Sequence, residues 1–264
     1  MKKVRLDQRV FELGFTESRE RAKTTVMSGI VFVNGQRADK PGMPVDPGAD
    51  IEVRGVALPF VSRGGFKLDK ALKVLPIDPA GKTCIDCGAS TGGFTDVLLQ
   101  HGAAKVYAVD VGYGQLAWKL RNDERVINLE RTNLRYVTEE QIPELLDIAV
   151  MDVSFISVKL VLPAVQRLLK PDADIVCLIK PQFEAGREEV GKKGVVRDSA
   201  VHKEVIRSVL DFAPGIGLTP VGLDFSPIKG PEGNIEYICH LKNGDFAAPQ
   251  LDVDAVVAAS HEAL

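Results

Sequence analysis

Apolar positions along the chain repeat with more than one period. Leu6, Val10 and Leu13 recur at helical spacing, and Gly14 supplies a stop. Ser18 stands where an N-cap is needed for a second helix over residues 19–28, which Gly29 closes. Residues 30–37 run Ile-Val-Phe-Val-Asn-Gly-Gln-Arg, and the central Asn-Gly predicts a β-hairpin. A stretch rich in Pro, Gly and Asp over residues 40–50 leads into a closing strand at 51–54. Two helices and a small sheet predict a compact module with a thin core.

Around residues 55–62 the pattern changes. Short apolar runs at 83–87, 105–109, 126–129, 148–153 and 175–179 alternate with helical patterns over 93–102, 115–121, 138–145, 158–169 and 200–213. Such alternation predicts a mainly parallel sheet covered on both faces. Residues 218–225 and 234–241, joined by the turn-rich segment 228–233, read instead as a terminal antiparallel hairpin. The expected fold class is therefore α/β, a Rossmann-like sheet with a terminal hairpin, preceded by a small α+β domain. Residues 1–58 form the first domain, 59–63 a linker, 64–246 the second domain and 247–264 a weakly amphipathic acidic tail.

Charge sharpens this division. Residues 1–40 hold nine Lys and Arg against five acids, an excess of four positive charges. The rest of the chain is then seven negative, since the whole is −3. A basic head on an acidic body suits contact with a polyanion. No apolar run approaches the roughly 18–20 residues that cross a bilayer, and the first residues lack the apolar core of a secretory signal, so a cytoplasmic protein without membrane contact is expected. Cys84 and Cys87 are spaced as C-x-x-C inside an apolar strand, where residues three apart face opposite sides. They read as core, and the four histidines show no ligand spacing, so no metal site is expected.

The chemistry gathers at strand ends. The first strand of the second domain runs into Asp86-Cys87-Gly88-Ala89-Ser90-Thr91-Gly92-Gly93-Phe94-Thr95. Glycines at a strand-to-helix turn let a ligand approach the backbone. The second strand ends at Asp110, where a doubly wound fold places an acid against ribose hydroxyls. The spacing is G-x-x-x-G-G, not the G-x-G-x-x-G of dinucleotide sites. Asp152 and Lys180 end apolar strands, Glu236 falls in the last one, and Lys67 follows Ser62-Arg63-Gly64-Gly65-Phe66. Buried charges need partners, so two lysines and two acids at one sheet edge are expected to meet.

These motifs carry resemblances. Residues 4–54 resemble the RNA-binding domain of ribosomal small-subunit protein four, through R-L-D, S-R-x-x-A, G-x-V-x-V-N-G and P-x-x-x-V-x-x-G. That likeness implies RNA phosphate contacts from Arg5, Arg19, Arg21, Lys23 and Arg37, with Arg63 beside the second domain. The turn D-x-G-x-x-x-G-G resembles methyltransferase motif I. It implies S-adenosyl-L-methionine held by Asp86, Gly88, Ser90, Thr91, Gly92, Gly93, Phe94, Thr95, Asp110, Val111, Asn133 and Asp152. Lys67, Asp152, Lys180 and Glu236 resemble the catalytic tetrad of FtsJ-type ribose 2′-O-methyltransferases.

The whole chain resembles the TlyA family, often labelled haemolysins and regarded as ribosomal RNA 2′-O-methyltransferases. The matching segments are S-R-G-G-F-K-L (62–68), D-C-G-A-S-T-G-G-F-T-D (86–96), V-D-V-G-Y-G-Q-L-A-W-K-L-R (109–121), D-V-S-F-I-S (152–157), L-I-K-P-Q-F-E (178–184) and G-N-I-E-Y (233–237). The implied activity is methylation of a ribose, on cytidine, in ribosomal RNA or ribosomal subunits. Two other readings are a membrane-active haemolysin and a non-catalytic RNA-binding assembly factor. Lys180 is expected either to accept the hydroxyl proton, which requires lowering an ordinary lysine pKa of about 10.4, or to stabilise the developing alkoxide. Asp152 and Glu236 are expected to orient the lysines and the hydroxyl. The segment from Glu184 to Asp198, with Arg187, Lys192, Lys193 and Arg197, reads equally as a basic lid or a solvated loop.

Overall fold

A computed structural model describes residues 3–16, 18–55 and 59–264. The N-terminal chain forms β1 (Val4–Arg5), α1 (Leu6–Glu12), α2 (Arg19–Met27), β2 (Val31–Val33), β3 (Gln36–Ala38), β4 (Pro44–Val45) and β5 (Ile51–Val53). Ser18 Oγ accepts the amide proton of Arg21 at 3.1 Å, the cap that starts α2. Asn34 and Gly35 both take positive φ, as a tight β2–β3 turn demands. β2 is the middle of three strands, with β3 and β5 at its sides. Leu6, Val10, Ala22, Val26, Val31 and Ile51 form the small core beneath. The pairing of β1 with β4 was not expected, because two-residue strands are too short to show a period. Residues 56–58, where the first domain is read to end, lie outside the described residues, as do Lys2 and Glu17 of the charge tally.

The second part opens with α3 (Gly65–Val74), then β6 (Thr83–Cys87), α4 (Gly93–Gln100), β7 (Lys105–Val109), α5 (Trp118–Arg121) and β8 (Val126–Leu129). It continues with β9 (Leu146–Met151), α6 (Leu162–Gln166), β10 (Leu169–Ile179), α7 (Pro181–Glu184) and α8 (Ser199–Phe212). β11 (Leu218–Phe225), β12 (Tyr237–Asn243) and α9 (Val253–Ala263) complete it. Seven strands form one sheet in the order β11-β12-β10-β9-β6-β7-β8. β6 to β10 run parallel, and β12 lies antiparallel to both β10 and β11. Cores cover both faces. Cys84 packs in one with Val97, Leu98 and Val106, and Cys87 in the other with Met151, Ile175 and Ile206. The four cysteines are free and buried.

Several elements depart from the sequence reading, each for a local reason. Residues 138–145 form turns where a helix is expected, because Pro143 cannot donate its share of helical hydrogen bonds. A three-residue 3₁₀ turn, Leu134–Tyr136, lies just ahead of them. The helix expected over 158–169 splits into a 3₁₀ turn (Val158–Leu160) and α6, with Pro163 in its first turn, and β10 already begins at Leu169. The helix expected over 115–121 shrinks to α5. The tail is helical: Asp252 accepts from the amide of Ala255 at 2.9 Å, and Val253 and Val257 are buried. α3 is absent from the reading altogether, since Gly64 and Gly65 make its start look like linker.

Candidate functional site

Counting outward from β6, the chain goes one way to β7 and β8 and the other way to β9 and β10. Ligands bind beyond the carboxyl ends of strands where such a reversal occurs. At that point the amide of Asp152 donates to the carbonyl of Cys87 at 3.0 Å, so the two strand ends are tied together. A Cβ on Gly88, which has φ of +84°, would stand 2.9 Å from the carbonyl oxygen of Asp152. Gly93 plays the same part toward α3, where a Cβ would meet the backbone nitrogen of Gly65 at 2.9 Å. These close approaches bring the first turn of α3 over the end of β6.

Lys67, on that turn, is buried. Its Nζ lies 3.0 Å from Asp152 Oδ2 and 2.6 Å from Glu236 Oε2. Lys180, directly after β10, places Nζ 2.5 Å from Asp152 Oδ1 and 2.9 Å from the Ser154 hydroxyl. The order is therefore Glu236–Lys67–Asp152–Lys180. Glu236 precedes β12 instead of lying inside it, a correction to the sequence reading. Because β12 runs against β10 and pairs Tyr237 with Ile179, the residue before β12 and the residue after β10 reach the same edge. All four side chains meet.

Electrostatics separates the two lysines. Burial alone would lower the pKa of Lys67, but the facing carboxylates of Asp152 and Glu236 outweigh it and hold the ammonium above its ordinary value. Burial likewise disfavours the Asp152 carboxylate, and Lys67 and Lys180 reverse that and hold it below the usual range. Lys67 is thus a fixed cation between two anions, whereas Lys180 has one carboxylate and a neutral hydroxyl.

Two hollows meet at Gly88, Ser90, Asp152 and Ser154. One, of about 460 Å³, is lined by Asp110, Val111, Asn133, Leu134 and Val161 among others, a mostly apolar space with a few polar groups. The other, of about 340 Å³, contains Arg63, Lys67, Asp86, Thr91, Phe94 and Lys180. Asp86 is fully buried; its Oδ2 accepts from the amide of Thr95 at 2.9 Å and its hydroxyl at 2.7 Å, and its Oδ1 has no hydrogen-bond partner among the described residues. Burial pushes its pKa up to about 7. Asp110 receives the amides of Ser90 at 2.7 Å and Gly112 at 2.6 Å, which shapes the rim. An unpartnered buried carboxylate in one hollow and a rim acid in the other fit a ligand bearing an ammonium group and a ribose. Asn133 Oδ1 instead accepts from the amide of Arg135 at 3.1 Å and is exposed, so it shapes the rim of the larger hollow.

Arg19, Arg21, Lys23 and Arg37 are exposed on the N-terminal module, and Arg63 is exposed beside α3. Arg5 differs, forming a 2.7 Å ion pair with buried Asp7. Sequence reasoning did not single out Ser154, Phe155 or Glu184. Phe155 has φ of +65° and is 91% exposed at the rim of the larger hollow. The signal was present, since D-V-S-F-I-S directly follows an apolar strand. Among the described residues no cluster of three His, Cys, Asp or Glu could hold a metal. The segment after Glu184 is anchored at its far end, where Asn234 accepts from the amide of Val196 at 2.9 Å and donates to the carbonyl of Gly194 at 2.8 Å.

The FtsJ-like methyltransferase profile matches residues 60–243, the part of the chain that contains the sheet and all four charged residues. The chain belongs to the FtsJ-like methyltransferase family. An S4 domain profile matches residues 4–51 of this methyltransferase. The chain is 46% identical to the 16S/23S rRNA (cytidine-2′-O)-methyltransferase TlyA of Mycobacterium tuberculosis, over 91% of this chain and 90% of that one. It is 50% identical to a candidate rRNA methyltransferase of Bacillus subtilis, YqxC, over 100% of this chain and 96% of that one. A solved Streptococcus thermophilus protein described as a hemolysin candidate is similar, with 48% identity and a TM-score of 0.78. That match covers 100% of this methyltransferase and 97% of the other chain. Among the described residues no helix is long and apolar enough to cross a membrane.

Proposed function

We propose that this methyltransferase acts on a ribose 2′-hydroxyl of ribosomal RNA, on cytidine, with S-adenosylmethionine as donor and the N-terminal domain, ending at residue 58, holding the RNA. The observation that carries this reading is the chain of ion pairs through Glu236, Lys67, Asp152 and Lys180 beside the glycine turn. Asp86, Asp110 and Val111, with the backbone from Gly88 to Thr95, hold the cofactor, and Asn133 shapes the rim of its hollow. The cofactor supplies an electrophilic methyl group on a sulfonium.

Lys67 stays protonated between its two carboxylates and fixes Asp152. Asp152 in turn aims Lys180 into the hollow that both lysines line. In its neutral form Lys180 Nζ accepts the proton of the ribose hydroxyl as the oxygen–carbon bond forms, and the Ser154 hydroxyl keeps that nitrogen oriented. A ribose hydroxyl is a weak acid, so proton removal and alignment supply most of what the residues contribute.

The test uses labelled S-adenosylmethionine and unmodified ribosomal subunits, with ribose methylation mapped afterwards. Lys180→Ala is expected to bind cofactor normally and to lose transfer by about 10²–10⁴-fold, the usual worth of a general base. Undiminished methylation by this variant removes Lys180 from the reaction. Label in neither subunit with the wild-type protein, despite cofactor binding, favours an RNA-binding assembly factor.

A further inference from the structure

Lys180 has its fixed partners on a single segment. Asp152 and Ser154 both belong to the loop that follows β9. That loop is irregular: Phe155 holds a left-handed backbone conformation that a bulky residue rarely adopts, and its ring is almost wholly in solvent. The start of the loop is held by β6 and α3, where the Cys87 carbonyl accepts from the amide of Asp152 and Lys67 pairs with its carboxylate. Beyond that, it meets α7, the short helix entered through Lys180. Phe183 packs its ring against Phe155 at 5.2 Å between centroids. Glu184, the last residue of α7, accepts the Ser157 hydroxyl on Oε2 at 2.7 Å and the Val158 amide on Oε1 at 2.7 Å. The loop and the helix are therefore joined at Lys180, at Phe183 and at Glu184.

Both donors to Glu184 are neutral. Burial raises the pKa of this carboxyl above the ordinary range, although Ser157 and Val158 pull the other way. What the two bonds accomplish is geometric. Val158 opens the 3₁₀ turn that ends the loop, so Glu184 determines where the loop stops, while Lys180 engages the place where it starts.

We infer that Glu184 is a positioning residue for methyl transfer, clamping the Asp152–Ser157 loop to α7 so that Lys180 and Asp152 keep their alignment. This rests on the ribose-methylation reading above. An ångström of slack between a base and its orienting group is enough to cost about 100-fold in rate.

The experiment compares full-length wild-type protein with Glu184→Ala, Glu184→Gln and Ser157→Ala. It measures single-turnover ribose methylation of unmodified ribosomal subunits, KM for the subunits, cofactor affinity and thermal stability. Glu184→Ala is expected to lower kcat by about 10- to 100-fold, with KM and cofactor affinity within about threefold of wild type. Glu184→Gln is expected to recover most of kcat, because its carbonyl still accepts from Val158 and its amide donates to the Ser157 oxygen. Ser157→Ala, which removes one of the two bonds to Glu184, should lower kcat by less than Glu184→Ala. Combined with Glu184→Ala it should add little, as for two members of one contact.

Full kcat in Glu184→Ala overturns the inference. So does a loss of activity that tracks a loss of folded protein or of cofactor binding, and so does a Gln variant as impaired as the Ala variant. Absence of ribose methylation with the wild-type protein refutes the parent reading, and this one with it.

Discussion

At the scale of single residues, the cluster owes its asymmetry to which lysine sits between two anions. Lys67 has Asp152 and Glu236, and Lys180 shares only Asp152. Glu236→Gln is therefore expected to weaken the hold on Lys67 and lower kcat by about tenfold or more, with RNA affinity unchanged, as kinetics on ribosomal subunits would read. Asp86 offers a pH signature. Its ordinary pKa is 3.8, and burial raises it to about 7 in the fold. Below the ordinary value it is protonated whether the chain is folded or not. Between there and about 7 the unfolded chain releases the proton and the folded one keeps it, so stability must fall as pH rises through that window. Thermal denaturation across the window should show this slope in the wild type and a flatter one in Asp86→Asn. A bound ammonium favours the ionised carboxylate, so cofactor affinity should rise over the same range, and Asp86→Asn should remove that rise.

Three residues of the cluster are legible in the sequence because each ends or interrupts an apolar run, whereas Lys67, preceded by Ser62-Arg63-Gly64-Gly65-Phe66, joins them only through the resemblance. Asp152 and Lys180 follow runs that can only be buried strands, so their location at the carboxyl edge comes from the period alone. Ser154 and Glu184 escape such reasoning. Each is an ordinary polar residue in a turn or a short helix, and its importance lies in a partner tens of positions away.

At the scale of elements, strands were legible and helices less so. Strands of this sheet are continuous apolar runs, whereas α3 begins with two glycines and α6 with a proline, both residues that read as interruptions. The Gly65 that hid α3 is required there, since a Cβ would collide with the Phe60 ring at 2.6 Å. Residues 138–145 show the opposite case, a helical period overruled by Pro143. The β6–α4 turn is where an element-level change should be felt most. Gly88→Ala adds a methyl 2.9 Å from a backbone oxygen at a positive φ. It is expected to destabilise the fold by about 1–3 kcal/mol, measured by denaturant unfolding, and to abolish cofactor binding.

For the molecule as a whole, the proposed function divides the labour between a basic N-terminal module that holds RNA and an acidic remainder that reacts with it. Arg21 and Lys23 are exposed on α2. Replacing both with Glu should lower RNA affinity and reduce the slope of log K against log salt by about 0.7–0.9 for each lost phosphate contact. Cofactor affinity should be unaffected, and binding titrations at several salt concentrations would decide both points. A salt slope equal to that of the wild type would mean that these two residues meet no phosphates.

The reversed direction of β12 has a temporal consequence. Lys67, Asp152 and Lys180 emerge from synthesis in that order, and Glu236 arrives only as the final strand is made. Until then Lys67 can have only Asp152 of its two acidic partners. A polypeptide that lacks its last strand therefore lacks the second anion of the cluster, whichever other strands have formed.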